Sequence, residues 1–280
     1  MSCYRFEERI FNDGIFPIID ATYIIHLEGN NRLSQINHEL DLIHPTNRVW
    51  ILHNKGYRKC KKTGLIQLAA EDLIDSYLHI FKHAKENNLS NILILEDDFF
   101  WNLDIQKREH IDSISKFIKS NSNTDFMYLL GCLPFLQVPY DITGEHRIVA
   151  SIGTHAAIYS RKCRERVLKV DQKDIVDWDV YHNYVSWRYM YYQPLCYQLF
   201  PITENQNNWL SNIIPNVLKV ILVLYIFVPI LRSLSLHESV EPGYSIFYQF
   251  SVYMSILLLL LILWSIYTFA KKYYRIRRTV

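Results

Sequence analysis

Nineteen consecutive residues without a charge, Val252 to Ala270 (VYMSILLLLLILWSIYTFA), constrain this chain more than any other feature. At about 1.5 Å of helical rise per residue they approach the roughly 30 Å hydrocarbon core of a bilayer. Trp264 and Tyr267 lie near one end, as interfacial residues do. A second apolar run, Ile213 to Leu236, is interrupted by Pro215, Asn216, Lys219, Pro229 and Arg232. Its two basic groups are close enough to the ends to snorkel, so it reads as an imperfect first span, with a buried or re-entrant helix as the alternative. The expected C-terminal architecture is a transmembrane helical hairpin: helix 213–236, an acidic connecting loop 237–246, helix 247–270 and a basic tail 271–280.

That tail carries Lys271, Lys272, Arg275, Arg277 and Arg278, whereas the connecting loop holds His237, Glu238 and Glu241 without a lysine or arginine. The positive-inside rule places the tail in the cytosol. Two crossings would return the preceding residues to the same side, giving a cytosolic domain; if the first segment does not cross, the domain lies outside. The first residues mix charges of both signs without an apolar stretch, so no cleaved secretory signal is expected there.

The other residues have the composition of a folded protein. With 30 basic against 28 acidic groups, the chain lacks the electrostatic footprint of phosphate-backbone binding, which excludes nucleic acid as an expected partner. The five cysteines, at 3, 60, 132, 163 and 196, form no C-x-x-C pair and are expected as free thiols in a reducing compartment.

Ahead of the spans, after a lead-in over residues 1–17, apolar β-rich runs alternate with helix-like stretches. Tyr23–Leu27, Arg48–His53, Asn91–Leu95 and Asp125–Leu130 are short, almost continuously apolar strands. Such strands separated by helices predict an α/β domain over 18–212 with a mostly parallel sheet covered on both faces. Between the second and third strands, residues 66, 70, 73, 74, 77, 78, 81 and 84 repeat at close to 3.6, which predicts an amphipathic helix.

No G-x-G-x-x-G, Walker A, G-x-S-x-G or H-E-x-x-H motif is present, so the usual dinucleotide, triphosphate, serine-hydrolase and zincin readings fall away. What stands out is Ile92-Leu93-Ile94-Leu95-Glu96-Asp97-Asp98-Phe99, a buried strand ending in three acids. Adjacent carboxylates repel one another unless a cation sits among them. Strand alternation would send Glu96 and Asp98 to one side and Asp97 to the other, letting two acids converge on a hard cation that completes its shell with water and phosphate oxygens. A solvated strand end is the plain alternative. His79 and His83 have the i, i+4 spacing of metal ligands but read as a solvated helix face.

Over most of residues 20 to 210 the sequence resembles glycosyltransferase family 25. The likeness is carried by Tyr23-Ile24-Ile25-His26-Leu27 with Asn31-Arg32, by the helix around Asp75-Ser76-Tyr77-Leu78-His79-Ile80-Phe81, and by Ile94-Leu95-Glu96-Asp97-Asp98-Phe99. Gly153-Thr154-His155 through Ser160-Arg161 and Asp177-Trp178-Asp179 complete it. One departure is Ser76-Tyr77, where the family usually has Ser-His. The resemblance implies a GT-A-like fold, a UDP-linked or other nucleotide-diphosphate sugar donor, a divalent metal, commonly manganese, and inversion at the anomeric carbon.

On that reading Glu96 and Asp98 hold the metal, and Arg32, Asp97 and His155 line the donor site. Asp177 and Asp179 are the candidate bases for an acceptor hydroxyl. Each has a plainer alternative: a surface arginine, a satisfied core histidine, and aspartates that solvate a turn. Asn205-Gln206-Asn207-Asn208-Trp209 would close the pocket or anchor at the interface. The expected function is a membrane-anchored hexosyltransferase acting on a glycan, lipid-linked or protein acceptor. Its rivals are a catalytically inactive scaffold of the same fold and a metal-dependent phosphohydrolase.

Overall fold

The runs read as strands are central because nothing polar interrupts them: Ile24, Ile51, Leu52 and Leu93 to Leu95 have no exposed surface at all. The computed structural model describes residues 2–62, 66–198 and 237–277. The expected first span and the Asn205–Trp209 stretch lie outside the described residues.

Seven strands form the main sheet in the order β1-β3-β2-β4-β7-β6-β8, and β5 pairs with β9 in a small second sheet. They are β1 (Tyr4–Ile10), β2 (Ala21–Leu27), β3 (Arg48–Asn54), β4 (Asn91–Glu96), β5 (Phe99–Trp101), β6 (Phe126–Pro139), β7 (His146–Ser160), β8 (Trp187–Tyr191) and β9 (Cys196–Gln198). The helices are α1 (Leu33–Leu42), α2 (Ala69–Glu86), α3 (Arg108–Ser120), α4 (Arg161–Val167), α5 (Trp178–Val185) and α6 (His237–Arg277). Strands β2, β3, β4, β6 and β8 run one way, and β1 and β7 run the other. The mostly parallel expectation therefore holds for the sheet, with two antiparallel members. One of these, β1, corrects the lead-in assigned to residues 1–17: it is an edge strand whose polar alternation hid it.

Helices cover both faces. Ile36 and Leu40 of α1 and Ile114 and Phe117 of α3 bury against one side. Ile74, Tyr77 and Phe81 of α2, Trp178 of α5 and Tyr244 of α6 bury against the other. The chain leaves β2 through α1 to β3 on one flank, then returns through α2 to β4 on the opposite flank. The strand order thus reverses between β2 and β4, and a crevice at the carboxyl ends of such strands is where open α/β sheets bind ligands.

A two-helix hairpin is not what the described residues show. One helix, α6, contains the uncharged run, and Val240–Lys271 is long and apolar enough to cross a membrane. Residues 237–246, expected as a loop, are the first turns of that helix. They fold because Val240, Tyr244, Tyr248 and Ser251 fall on one helical face and bury against the domain. Each such apolar side chain contributes about 1.5–3 kcal/mol on burial.

The cysteine expectation is corrected as well: Cys3 and Cys60 form a disulfide, while Cys132, Cys163 and Cys196 are free and buried. The β1–β3 register sets Tyr4 opposite Asn54, and the turn after β3 swings Cys60 back beside Cys3. Lys62 then plugs in behind, donating to Asn54 Oδ1 at 2.7 Å and to the Tyr4 hydroxyl at 2.6 Å.

Candidate functional site

Strand β4 ends at Glu96, and Asp97–Asp98 form a tight turn into β5, so the expected alternation stops before Asp97. Asp97 points toward the loop after β2. It accepts from the Leu27 backbone N–H at 3.0 Å, from Asn30 Nδ2 at 2.5 Å and from Arg32 Nη1 at 2.5 Å. The same guanidinium nitrogen lies 3.3 Å from Asp98 Oδ2. The cation among the adjacent acids is therefore Arg32, at the head of α1, and it joins the two loops that flank the strand-order reversal.

Asp98 is buried and accepts from Gln198 Nε2 at 3.1 Å on each oxygen. Burial and the neighbouring Asp97 charge push its carboxyl up to about 7, against the opposing pull of Arg32 and Gln198. Glu96 is raised well above the usual carboxylate range, first by burial and then by the charges of Asp98 and Asp179. It accepts a hydrogen bond from the Tyr77 hydroxyl at 2.9 Å. Asp179 is raised by burial as well, partly offset by the Gly153 N–H, which donates to it at 2.8 Å, and by Arg188. Glu96 and Asp179 keep some accessible surface while surrounded by protein atoms.

The expected residues separate accordingly. Glu96, Asp97, Asp98, Arg32 and Asp179 come together. Asp177 does not: it caps α5, accepting from the Val180 N–H at 2.9 Å, and takes the turn-solvating alternative. His155 is a fully buried core residue whose Nε2 lies 3.3 Å from the Cys196 carbonyl. Burial pushes its pKa down to about 4, so the imidazole is neutral. Its ring and that carbonyl close over Gly131, where a Cβ would fall 2.6 Å from His155 Nε2 and 1.9 Å from Cys196 O. His79 and His83 pack on β1, at ring distances of 4.0 Å from Tyr4 and 4.1 Å from Phe6, rather than forming a solvated face.

Tyr77, Gln198, Asn30 and Arg188 were not foreseen. Tyr77 carried a signal, since it occupies the position where the sequence departs from its resembling family. Gln198 and Arg188 carried none, because strands far along the chain deliver them.

Among the described residues no three His, Cys, Asp or Glu side chains are placed to share one ion. Glu96 and Asp98 nevertheless fit a hard divalent cation as a two-carboxylate set completed by water and phosphate oxygens. Burial raises the proton affinity of both, and for Asp98 the nearby Arg32 works against that rise. A separate cleft, lined by Lys85, Asn88, Arg161 and Arg164 among others, lies at the opposite end of β4.

No protein-family model matches the sequence, and no curated protein does. Solved structures do resemble the fold. A glycosyltransferase involved in glycosylation of the major capsid of PBCV-1 aligns with TM-score 0.41 and 10% identity, over 69% of this chain and 99% of that one. A197 from STIV aligns with TM-score 0.36 and 16% identity, over 66% and 86%. A protein described as a glucose-1-phosphate thymidylyltransferase from Bacillus anthracis aligns with TM-score 0.33 and 10% identity, over 66% and 73%. Likenesses at this level assign neither a family nor an activity.

Proposed function

We propose that this chain is a membrane-anchored glycosyltransferase of GT-A-like fold that moves a hexose from a nucleotide-diphosphate sugar, UDP-linked, to an acceptor hydroxyl. The observation that carries the reading is the cluster of Glu96, Asp98, Asp179 and Arg32 at the carboxyl end of β4, where strand order reverses between β2 and β4. Carboxylates with raised proton affinity gathered at one place are poised for a cationic or proton-transfer role rather than for stability.

In this reading Glu96 and Asp98 would hold a divalent ion, manganese for preference, which would supply positive charge for a leaving diphosphate. Arg32 keeps Asp97 and the post-β2 loop in place and presents its guanidinium to phosphate oxygens. Asp179, fixed by the Gly153 N–H and made more basic by burial, accepts the proton of the acceptor hydroxyl as it attacks the anomeric carbon with inversion. Tyr77 and Gln198 orient Glu96 and Asp98 by the hydrogen bonds described above. Helix α6 holds the site near a membrane, where a glycan-bearing, lipid-linked or protein acceptor would be met.

The test is calorimetric titration of UDP into the full chain in detergent, with and without manganese. Manganese-dependent binding that Asp98→Asn abolishes supports the reading; absence of UDP binding by folded protein overturns it. A non-catalytic scaffold of the same fold is the second reading, favoured by the way Arg32 already neutralises Asp97 and Asp98. It predicts that outcome of no binding.

A further inference from the structure

Helix α6 belongs to two environments. Its first part is domain: Val240, Tyr244, Tyr248 and Ser251 are buried, and Gln137 Nε2 donates to the Tyr248 carbonyl at 2.7 Å and to Ser251 Oγ at 2.5 Å. The Gln137 N–H donates to Ser255 Oγ at 2.8 Å. Beyond that contact the helix leaves the protein, and Ile256 to Leu263 each keep 44–58% of their surface exposed. The uncharged run spans about 28 Å along the axis, enough for one crossing.

Residues 2–198 and 240–251 therefore share one side of any membrane that α6 enters. The two-crossing topology would have set them on opposite sides. With α6 making the crossing, the tail after Ala270 lies on the far side from the domain, and that tail holds five basic and no acidic residues. By the positive-inside rule the tail is cytosolic. The domain is then extracytoplasmic, the reverse of the placement expected from two crossings.

Two independent features agree. The Cys3–Cys60 disulfide is a bond that persists in oxidising compartments and is rare in the cytosol. The sequence also contains a single N-x-[ST] acceptor, Asn88-Leu89-Ser90. Asn88 is exposed on the turn between α2 and β4 with a left-handed φ of 56°, and its backbone, not its amide, makes the local bonds: N–H to the Lys85 carbonyl at 3.0 Å, carbonyl from Arg161 Nη2 at 2.7 Å.

From these we infer that the folded domain faces the lumenal or extracellular side, opposite the basic tail, and that Asn88 is an N-glycan acceptor there.

The test expresses the full chain in a cell with a glycosylating secretory pathway and follows its mobility before and after N-glycosidase. Three chains are compared: unmodified, Asn88→Gln, and Asp141→Asn, which creates a second acceptor with Ile142 and Thr143 in the exposed β6–β7 turn. The inference predicts one glycosidase-sensitive shift in the unmodified chain, none in Asn88→Gln and two in Asp141→Asn. A single shift confined to Asp141→Asn removes Asn88 as the acceptor. No shift in any chain, with the domain digested by protease added outside sealed microsomes, overturns the placement.

Discussion

The Tyr244 hydroxyl of α6 accepts a hydrogen bond from the Gln198 backbone N–H at 3.1 Å, and the Gln198 side-chain amide donates to both carboxylate oxygens of Asp98. One residue thus links the long apolar helix α6 to the acidic cluster. Tyr244→Phe leaves a backbone donor without its acceptor, an expected loss of about 1–3 kcal/mol in denaturant unfolding. Tyr244→Ala adds a cavity, for about 3–5 kcal/mol. A chain ending at residue 236 should unfold at lower denaturant than one ending at 277; equal midpoints would contradict the docking of α6.

Arg32 stands between two acids that are themselves buried. Arg32→Gln should destabilise the domain by about 3–5 kcal/mol, because it strands uncompensated carboxylates rather than because the pair is strong. Arg32→Lys should recover part of the loss, since the charge returns without the fork geometry. Urea melts of the three chains decide this, and a neutral Arg32→Gln would show that the acids are compensated elsewhere.

The disulfide closes a long loop, with a sequence separation of 57. On the chain-entropy account, removing it as Cys3→Ser with Cys60→Ser should cost about 4 kcal/mol. Reduction of the unmodified chain should lower its Tm to that of the double variant, measured by circular dichroism. An unchanged Tm on reduction would count against the bond.

His182 is fully buried among Tyr159, Trp178 and Tyr181, and burial followed by the charges of Arg188 and Arg166 holds its pKa well below the ordinary value. Above about pH 6.5 it is neutral in both folded and unfolded chains. As pH falls below that, the unfolded chain takes up a proton that the folded chain refuses, so stability drops by about 1.4 kcal/mol per pH unit for this group. His182→Phe should flatten the unfolding free energy between pH 6.5 and 5 by about that slope. An identical slope in both chains would mean that His182 does not titrate this way.

How much of this was legible in sequence depended on whether the deciding contacts were local. β2, β3 and β4 were readable because both faces of each are buried, which leaves continuous apolar runs. β1 was not, because an edge strand paired on one side tolerates the alternation Tyr4-Arg5-Phe6-Glu7. The docked half of α6 was hidden for a related reason: Val240, Tyr244 and Tyr248 are spread one turn apart among polar residues and look like a linker until β6 supplies the opposing surface.

In the site, Glu96 to Asp98 announced themselves as three adjacent acids, and the charge beside Asp97 and Asp98 in the fold is that of Arg32. That Arg32 lies there depended on the α1 loop crossing above β4, a non-local fact. Asp177 and Asp179 looked equivalent as a pair, yet the start of α5 turns one into a cap and sets the other near Glu96. The Cys3–Cys60 pairing likewise requires the β1–β3 register, which spacing alone does not supply.

Transfer chemistry at the Glu96–Asp98 cluster should show itself as release of UDP from UDP-hexoses by the full chain in lipid nanodiscs with manganese. The unmodified protein should release UDP slowly from at least one UDP-hexose, faster when an acceptor is present, and both Asp98→Asn and Asp179→Asn should lose this release. Release that persists unchanged in both variants, or none from any UDP-hexose by protein that binds UDP, would rule out transfer chemistry at this cluster.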